Sequence, residues 1–187
     1  MLPHTVMKTL DAPRPSDGDS DDAAVVDLAR TAFALARAGA ARDLAVMLDA
    51  GLPAGLRNER GDSLLMLASY HGHMEATHLL LKRGANPEQT NDAGQTPLAG
   101  AAFKGSAAIA TVLLDAGAKV DGAGGDGRTP LMFAAMFDKL DVVELLLQRG
   151  ANPDLRDADQ RTALAYARAF GAWRAAGRLE PRPPAQD

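Results

Sequence analysis

The stretch that decides the fold is Asn91-Asp92-Ala93-Gly94-Gln95-Thr96-Pro97-Leu98-Ala99-Gly100-Ala101-Ala102-Phe103-Lys104-Gly105. An apolar segment follows, ending Val112-Leu113-Leu114-Asp115-Ala116-Gly117-Ala118. It packs one turn, one helix start, two apolar segments and a terminating glycine into a single unit. Thr96 suits an N-cap, because its hydroxyl can accept from a first-turn N–H that has no helical partner. Pro97 suits the first helical position, where its missing N–H costs nothing. The unit also recurs. Gly61, Gly94 and Gly127 stand at a constant interval of 33 residues, as do Gly51, Gly84, Gly117 and Gly150. Gly72 and Gly105 share the interval, and Asp138 and Gly171 continue it. A fixed period of this size marks stacked supersecondary units, each too small to bury its own apolar face.

Thr96-Pro97-Leu98 and Thr129-Pro130-Leu131 repeat in register, with Ser63-Leu64-Leu65 and Thr162-Ala163-Leu164 as weaker copies. On these anchors the chain resembles the ankyrin repeat family over about Asp22 to Leu179. The resemblance implies an all-α solenoid of about five helix-turn-helix repeats, terminal caps included. One departure is consistent: Met66, Ala99, Met132 and Ala165 stand where the family carries a histidine that helps tie neighbouring repeats together.

The bulk numbers narrow the function. At 187 residues the chain is one ordinary domain, and 47% hydrophobic content suffices for a core. Aromatics are only 4%, and the abundant alanine suits closely packed helices. A formal net charge of −4 argues against a nucleic-acid binder, which needs a basic face to neutralise phosphates. The absence of Cys excludes disulfides, thiolate nucleophiles and Cys-ligated zinc. Met1 to Lys8 carries no apolar run of signal-peptide length, and no run is long enough to cross a bilayer. The expectation is a soluble, cytoplasmic, monomeric protein that touches neither nucleic acid nor membrane. Fifteen Arg against five Lys, with much Ala, point to a GC-rich bacterial source.

In chain order, residues 1–20 read as a flexible tail and 21–180 as the repeat domain. Asp17, Asp19 and Asp21 have calcium-loop spacing, but Asp22 stands where that loop needs Gly and Leu28 where it needs Glu. They read as an acidic lead-in, with Asp21 or Asp22 as N-cap. The repeats are placed at about 22–57, 58–90, 91–123, 124–156 and 157–180, with 181–187 a tail. A first helix is expected over Ala23 to Ala38 with Val25, Leu28, Ala32 and Leu35 on its apolar face. Second helices are expected to bury Leu79-Leu80-Leu81, then Ile109, Val112, Leu113 and Leu114, then Val142, Val143, Leu145, Leu146 and Leu147. Arg178 and Glu180 replace Leu145 and Leu147 in the last repeat, as a solvent-facing cap requires. The run Gly122-Ala123-Gly124-Gly125-Asp126-Gly127 is expected to form the most mobile turn.

Two signals imitate chemistry. Gly122, Gly124 and Gly127 spell a dinucleotide fingerprint, and Gly122 to Thr129 approaches a phosphate loop with Arg128 in place of Lys. Both motifs need a preceding parallel strand, whereas here a helical repeat precedes. His71, His73, Glu75 and His78 are the one local ligand-type cluster. Zinc needs three or four converging ligands, and turn or surface histidines account for these more simply. No set of acid, base and nucleophile is brought together by the register, and no cofactor is implied. The protein reads as a non-enzymatic binder of an unidentified protein. A metal- or small-molecule-dependent activity at His71 to His78, or structural self-association, are the alternatives.

The family resemblance places partner contacts at the turn tips and at the ends of the first helices. By register the tips are Glu59, Arg60 and Asp62; Asp92, Ala93 and Gln95; Gly125, Asp126 and Arg128; Ala158, Asp159 and Arg161. The helix-end pairs are Tyr70 and His71, Phe103 and Lys104, Met136 and Phe137, Ala169 and Phe170. Tyr70, Phe103, Phe137 and Phe170 are four of the seven Tyr and Phe residues, gathered on adjacent rows. Such a row serves a binding groove or inter-repeat packing equally well.

Overall fold

The computed structural model describes residues 17–181, with side chains described from Val25 onward. Among the described residues there are ten helices and no strand. They are α1 (Asp17–Ala38), α2 (Ala41–Asp49), α3 (Leu64–Tyr70), α4 (Met74–Lys82), α5 (Pro97–Lys104), α6 (Ala107–Asp115), α7 (Pro130–Met136), α8 (Leu140–Gln148), α9 (Ala163–Ala169) and α10 (Trp173–Leu179). Connections within each pair are too short for anything but an antiparallel hairpin. The odd-numbered helices pack on one another as an inner row and the even-numbered ones as an outer row. The turns between pairs project as fingers, and the first is closed by an isolated bridge between Arg57 and Ser63.

The four repeats after the first start by the same local chemistry. The hydroxyls of Ser63, Thr96, Thr129 and Thr162 accept from Met66, Ala99, Met132 and Ala165 N–H, as the sequence predicts. The fingers are held by Asx turns at their first residue. Asn58 Oδ1 accepts from Arg60 and Asp62 N–H, Asn91 Oδ1 from Gln95 N–H, and Asp157 Oδ1 from Arg161 N–H. Gly124 has no side chain to do this, and Asp126 takes over by accepting from Arg128 N–H. The glycine-rich run has a packing role. A Cβ at Gly94 would stand 2.4 Å from Gly125 N, and one at Gly124 would stand 2.3 Å from Gly94 O. Bare backbones are what let these two fingers nest.

The core follows the period. Leu65, Leu98 and Leu131 are fully buried, and so are Ala68, Ala101, Ala134 and Ala167, whose small side chains let the inner helices approach closely. Leu80, Leu113 and Leu146 fill the outer row. The adjacent Leu79, Leu81, Val112, Leu114, Leu145 and Leu147 are only half-buried, because a nine-residue outer helix presents one narrow stripe to the core.

The first and last repeats depart from expectation. α1 begins at Asp17, six residues before the predicted start, so Asp21 and Asp22 lie inside the helix and Asp17 to Asp21 is helix rather than loop. The rest of the predicted N-terminal tail, 1–16, lies outside the described residues. The buried face of α1 is Ala32, Phe33 and Ala36, whereas Val25 and Leu28 are exposed. At about 1.5 Å per residue, α1 runs about 33 Å and extends well past the seven-residue α3. At the other end, α10 is polar as a cap must be. Arg178 lies 4.0 Å from Glu144, and Glu180 pairs with Arg168 at 3.0 Å. Residues 182–187 lie outside the described residues.

Ties between repeats replace the family histidine. His73 Nε2 lies 2.7 Å from the Arg37 carbonyl, so that nitrogen is the donor. Arg83 pairs with Asp49, and Arg149 with Asp115 at 2.8 Å. Lys119 N–H donates to Glu88 and Asn152 N–H to Asp121, one period apart. Asp138 holds φ of 51° where other repeats have glycine, and its carboxylate accepts from Ala175 N–H at 2.8 Å, in the first turn of α10. A strained residue thereby caps a helix that has no cap of its own.

Candidate partner-binding groove

The inner helices and the fingers enclose a groove of about 1210 Å³. Its end wall is α1. Val26, Arg30, Phe33 and Arg37 fall at i, i+4, i+7 and i+11 on that helix and all line the groove. The fingers supply Asn58, Glu59, Arg60, Asp62, Asp92 and Gln95. The floor is Met66, Leu67, Tyr70, Ala99, Gly100, Phe103 and Phe133. A second depression of about 350 Å³ continues over the last repeats, lined by Asp126, Arg128, Met136, Asp157, Asp159, Arg161, Tyr166 and Phe170. The α1 stripe was missed by sequence reading, because register arguments need a neighbouring copy and the first repeat has no Thr-Pro-Leu start.

The aromatic row is continuous. Tyr70 stacks on Phe103 with ring centres 6.0 Å apart, Phe103 meets Phe137 edge-on at 4.6 Å, and Phe137 meets Phe170 at 6.3 Å. Burial divides it. Phe103 is half-buried and packs on the core, Tyr70 is half-buried, and Phe137 and Phe170 are 39% and 58% exposed. Met136 does not belong with the exposed anchors. It is 8% exposed and lines the second depression beside the finger residues Asp157 and Asp159. His71 and Lys104 are exposed, and Lys104 Nζ stands 5.1 Å from the centre of the Tyr70 ring.

The tip charges are partly spent inside the protein. Asp92 pairs with Arg57 at 2.9 Å, and Asp126 with Arg128 at 2.6 Å. Arg128 also lies over the Phe133 ring and Arg161 over the Tyr166 ring, at 5.4 and 5.7 Å. Glu59, Arg60, Gln95, Asp159 and Arg161 are exposed on the tips.

One buried polar pair stands below the last finger. The Tyr166 hydroxyl donates to Asp157 Oδ2 at 2.5 Å, and both side chains are buried. Burial alone pushes the Asp157 carboxyl up. The Tyr166 hydroxyl, the backbone N–H groups of Arg161 and Asp159, and the Arg161 charge outweigh it and hold the carboxyl below its ordinary range. Burial first, and the Asp157 carboxylate second, push the Tyr166 phenol up.

The histidines are arranged as turn residues. His71 and His73 rings stack at 6.1 Å, His73 is bonded to the Arg37 carbonyl, and His78 is exposed on α4. Among the described residues, no group of three or more His, Asp or Glu converges as a metal site would require. No helix there is long and apolar enough to cross a membrane.

Comparison with known proteins agrees with this geometry. Residues 33–123 match the family described as "Ankyrin repeats (3 copies)", and residues 126–158 match "Ankyrin repeat". The chain belongs to the ankyrin repeat family. A Pseudomonas aeruginosa protein, named as an ankyrin repeat protein, is 50% identical over 69 residues. That match spans 37% of this chain and 38% of the relative's length. The relative is bacterial, in line with the composition. Ankyrin repeats generally mediate protein–protein interaction and are typically non-enzymatic.

Proposed function

We propose that this ankyrin repeat chain is a binding module that holds a segment of one partner protein along the aromatic row, from the groove beside α1 to the depression over the last repeats. The observation that carries the reading is the exposure of Phe137 and Phe170 at the end of a continuous aromatic row. Large aromatic surface left in water is unfavourable for an isolated domain and is what interface hot spots are made of. Phe137 and Phe170 are the anchors. Tyr70 and Phe103 form the half-buried part of the same surface, and Lys104, Arg60 and Glu59 form its polar rim.

Affinity capture followed by mass spectrometry identifies the partner, and hydroxyl-radical footprinting of the complex tests the site. Protection is expected at Tyr70, Phe103, Phe137 and Phe170. Protection confined to the outer helices would refute the groove.

A further inference from the structure

Asp138 departs from the repeat pattern beside the two exposed anchors. Its register position reads Gly72, Gly105, Asp138 and Gly171, in the turn that joins the two helices of a repeat. The three glycines hold φ of 80°, 83° and 69°, and Asp138 holds 51°. Glycine adopts that left-handed backbone freely, whereas a side chain strains it, Asp less than most. What the side chain gains is a contact outside its own repeat. Asp138 Oδ1 accepts from Ala175 N–H at 2.8 Å, across 37 residues.

That N–H is the third of α10, the one a side-chain cap at Ala172 would take. Ser106, two periods before Ala172, caps α6 in this way by accepting from Ile109 N–H. Ala172 has no group to do so, and the first turn of α10 has no acidic residue of its own. The Asp138 carboxylate therefore caps α10 from the preceding repeat and faces the positive end of its dipole. Capping alone does not account for a strained residue, since α2, α4 and α8 form with no side-chain cap. Its place does. Asp138 directly follows Phe137, the last residue of the α7 turn, and the helix it holds follows Phe170, which stands at the same point of α9. Tyr70 and Phe103 are half-buried, and Phe103 packs on the core. Phe137 and Phe170 are exposed, so packing alone holds them least.

We infer that Asp138 is a positioning residue for the aromatic site: its carboxylate locks the fourth repeat to the fifth and holds the Phe137 and Phe170 rings at their 6.3 Å spacing. The inference rests on the reading of the row as a partner site and names what sets the geometry of its exposed end. Rings already held in place cost less to order when a partner binds.

Three variants separate positioning from capping. Asp138→Gly removes the carboxylate and the strain together. Asp138→Asn keeps an acceptor oxygen on a residue that tolerates the left-handed backbone. Asp138→Gly/Ala172→Ser gives α10 a cap of its own, after Ser106, without the link between repeats. NMR reads the exchange of the Ala175 amide and the NOE between the Phe137 and Phe170 rings. Affinity is read with fluorescent peptides selected on the full wild-type chain from a phage-displayed random library, keeping those that bind Phe137→Ala/Phe170→Ala about ten-fold or more weakly. Asp138→Asn should match wild type in every readout. Asp138→Gly should exchange the Ala175 amide faster, lose the ring NOE and bind the peptides about ten-fold more weakly. The double variant should regain the amide protection and the melting temperature, but neither the NOE nor the affinity. Affinity recovered in the double variant overturns the inference, because Asp138 then only caps α10. An intact NOE in Asp138→Gly overturns it too. A lost NOE with undiminished affinity overturns the positioning role and leaves the aromatic site standing. If Asp138→Gly unfolds, the self-capped double variant decides by the same two readouts. A library that yields no peptide dependent on Phe137 and Phe170 overturns the aromatic site itself, and the inference with it.

Discussion

Tyr166→Phe isolates the buried polar pair beneath the last finger. The change removes one hydroxyl and leaves the ring where it packs. The lost hydrogen bond is 2.5 Å long and ends on a buried carboxylate. Bonds to charged groups contribute about 1.5–3 kcal/mol, more than neutral ones. Asp157 keeps the Arg161 N–H at 2.9 Å and the nearby Arg161 charge, so the carboxylate is not orphaned. The expected cost is about 2 kcal/mol, or roughly 4–8 °C in Tm for a domain of this size. The cost must also depend on pH. Folding lowers the Asp157 carboxyl below its ordinary 3.8. A group lowered in this way contributes stability that is complete above its unfolded value and lost as pH falls through the folded one. Folding raises the Tyr166 phenol above 10.0, so its share is complete below that value and lost as pH climbs through the folded one. Urea unfolding followed by far-UV circular dichroism should show the full gap between wild type and variant at neutral pH, narrowing below about pH 4 and again above about pH 10. A variant as stable as wild type, or a gap unchanged at low pH, would refute the charge-assisted pair.

Leu113→Ala should cost about 2–5 kcal/mol in the same urea assay, because Leu113 is fully buried between outer helices and the change leaves a cavity. Gln160→Gly should raise stability by about 0.5–1 kcal/mol. Gln160 holds φ of 62° where the other fingers have Gly61, Gly94 and Gly127, and relief of that strain exceeds the added freedom of the unfolded chain; a thermal melt reads it. A chelator should leave Tm unmoved, and neither ATP nor NAD should bind by titration calorimetry. A chelator-dependent loss of several degrees would revive a metal at His71 to His78.

The repeats were legible because the residues that define them act locally. Thr96-Pro97 caps and starts a helix wherever it stands, and the glycine period fixes the register of everything between. The long α1 was not legible, since the first repeat lacks that start and its acidic residues read equally well as a tail or a helix. The candidate site was legible only as a row. Tyr70 and Phe103 are one period apart, as are Phe137 and Phe170 on the adjacent row, but register does not say which of them face water. Met136, one period from Phe103, is buried. The Asp157–Tyr166 pair crosses a finger and a helix turn, and no spacing rule in the sequence marks it.

The most direct measurement is the affinity of the captured partner for wild type and for the Phe137→Ala/Phe170→Ala double variant, with Tm recorded for both. Phe170 is 58% exposed and Phe137 39% exposed in the free protein, and neither is a core residue, so the double variant should keep its Tm to within a few degrees. Its affinity should fall by at least about thirty-fold, the equivalent of one hot spot of about 2 kcal/mol. Full affinity in a folded double variant would contradict the account, and so would a stability loss of about 3–5 kcal/mol of the kind buried phenylalanines give.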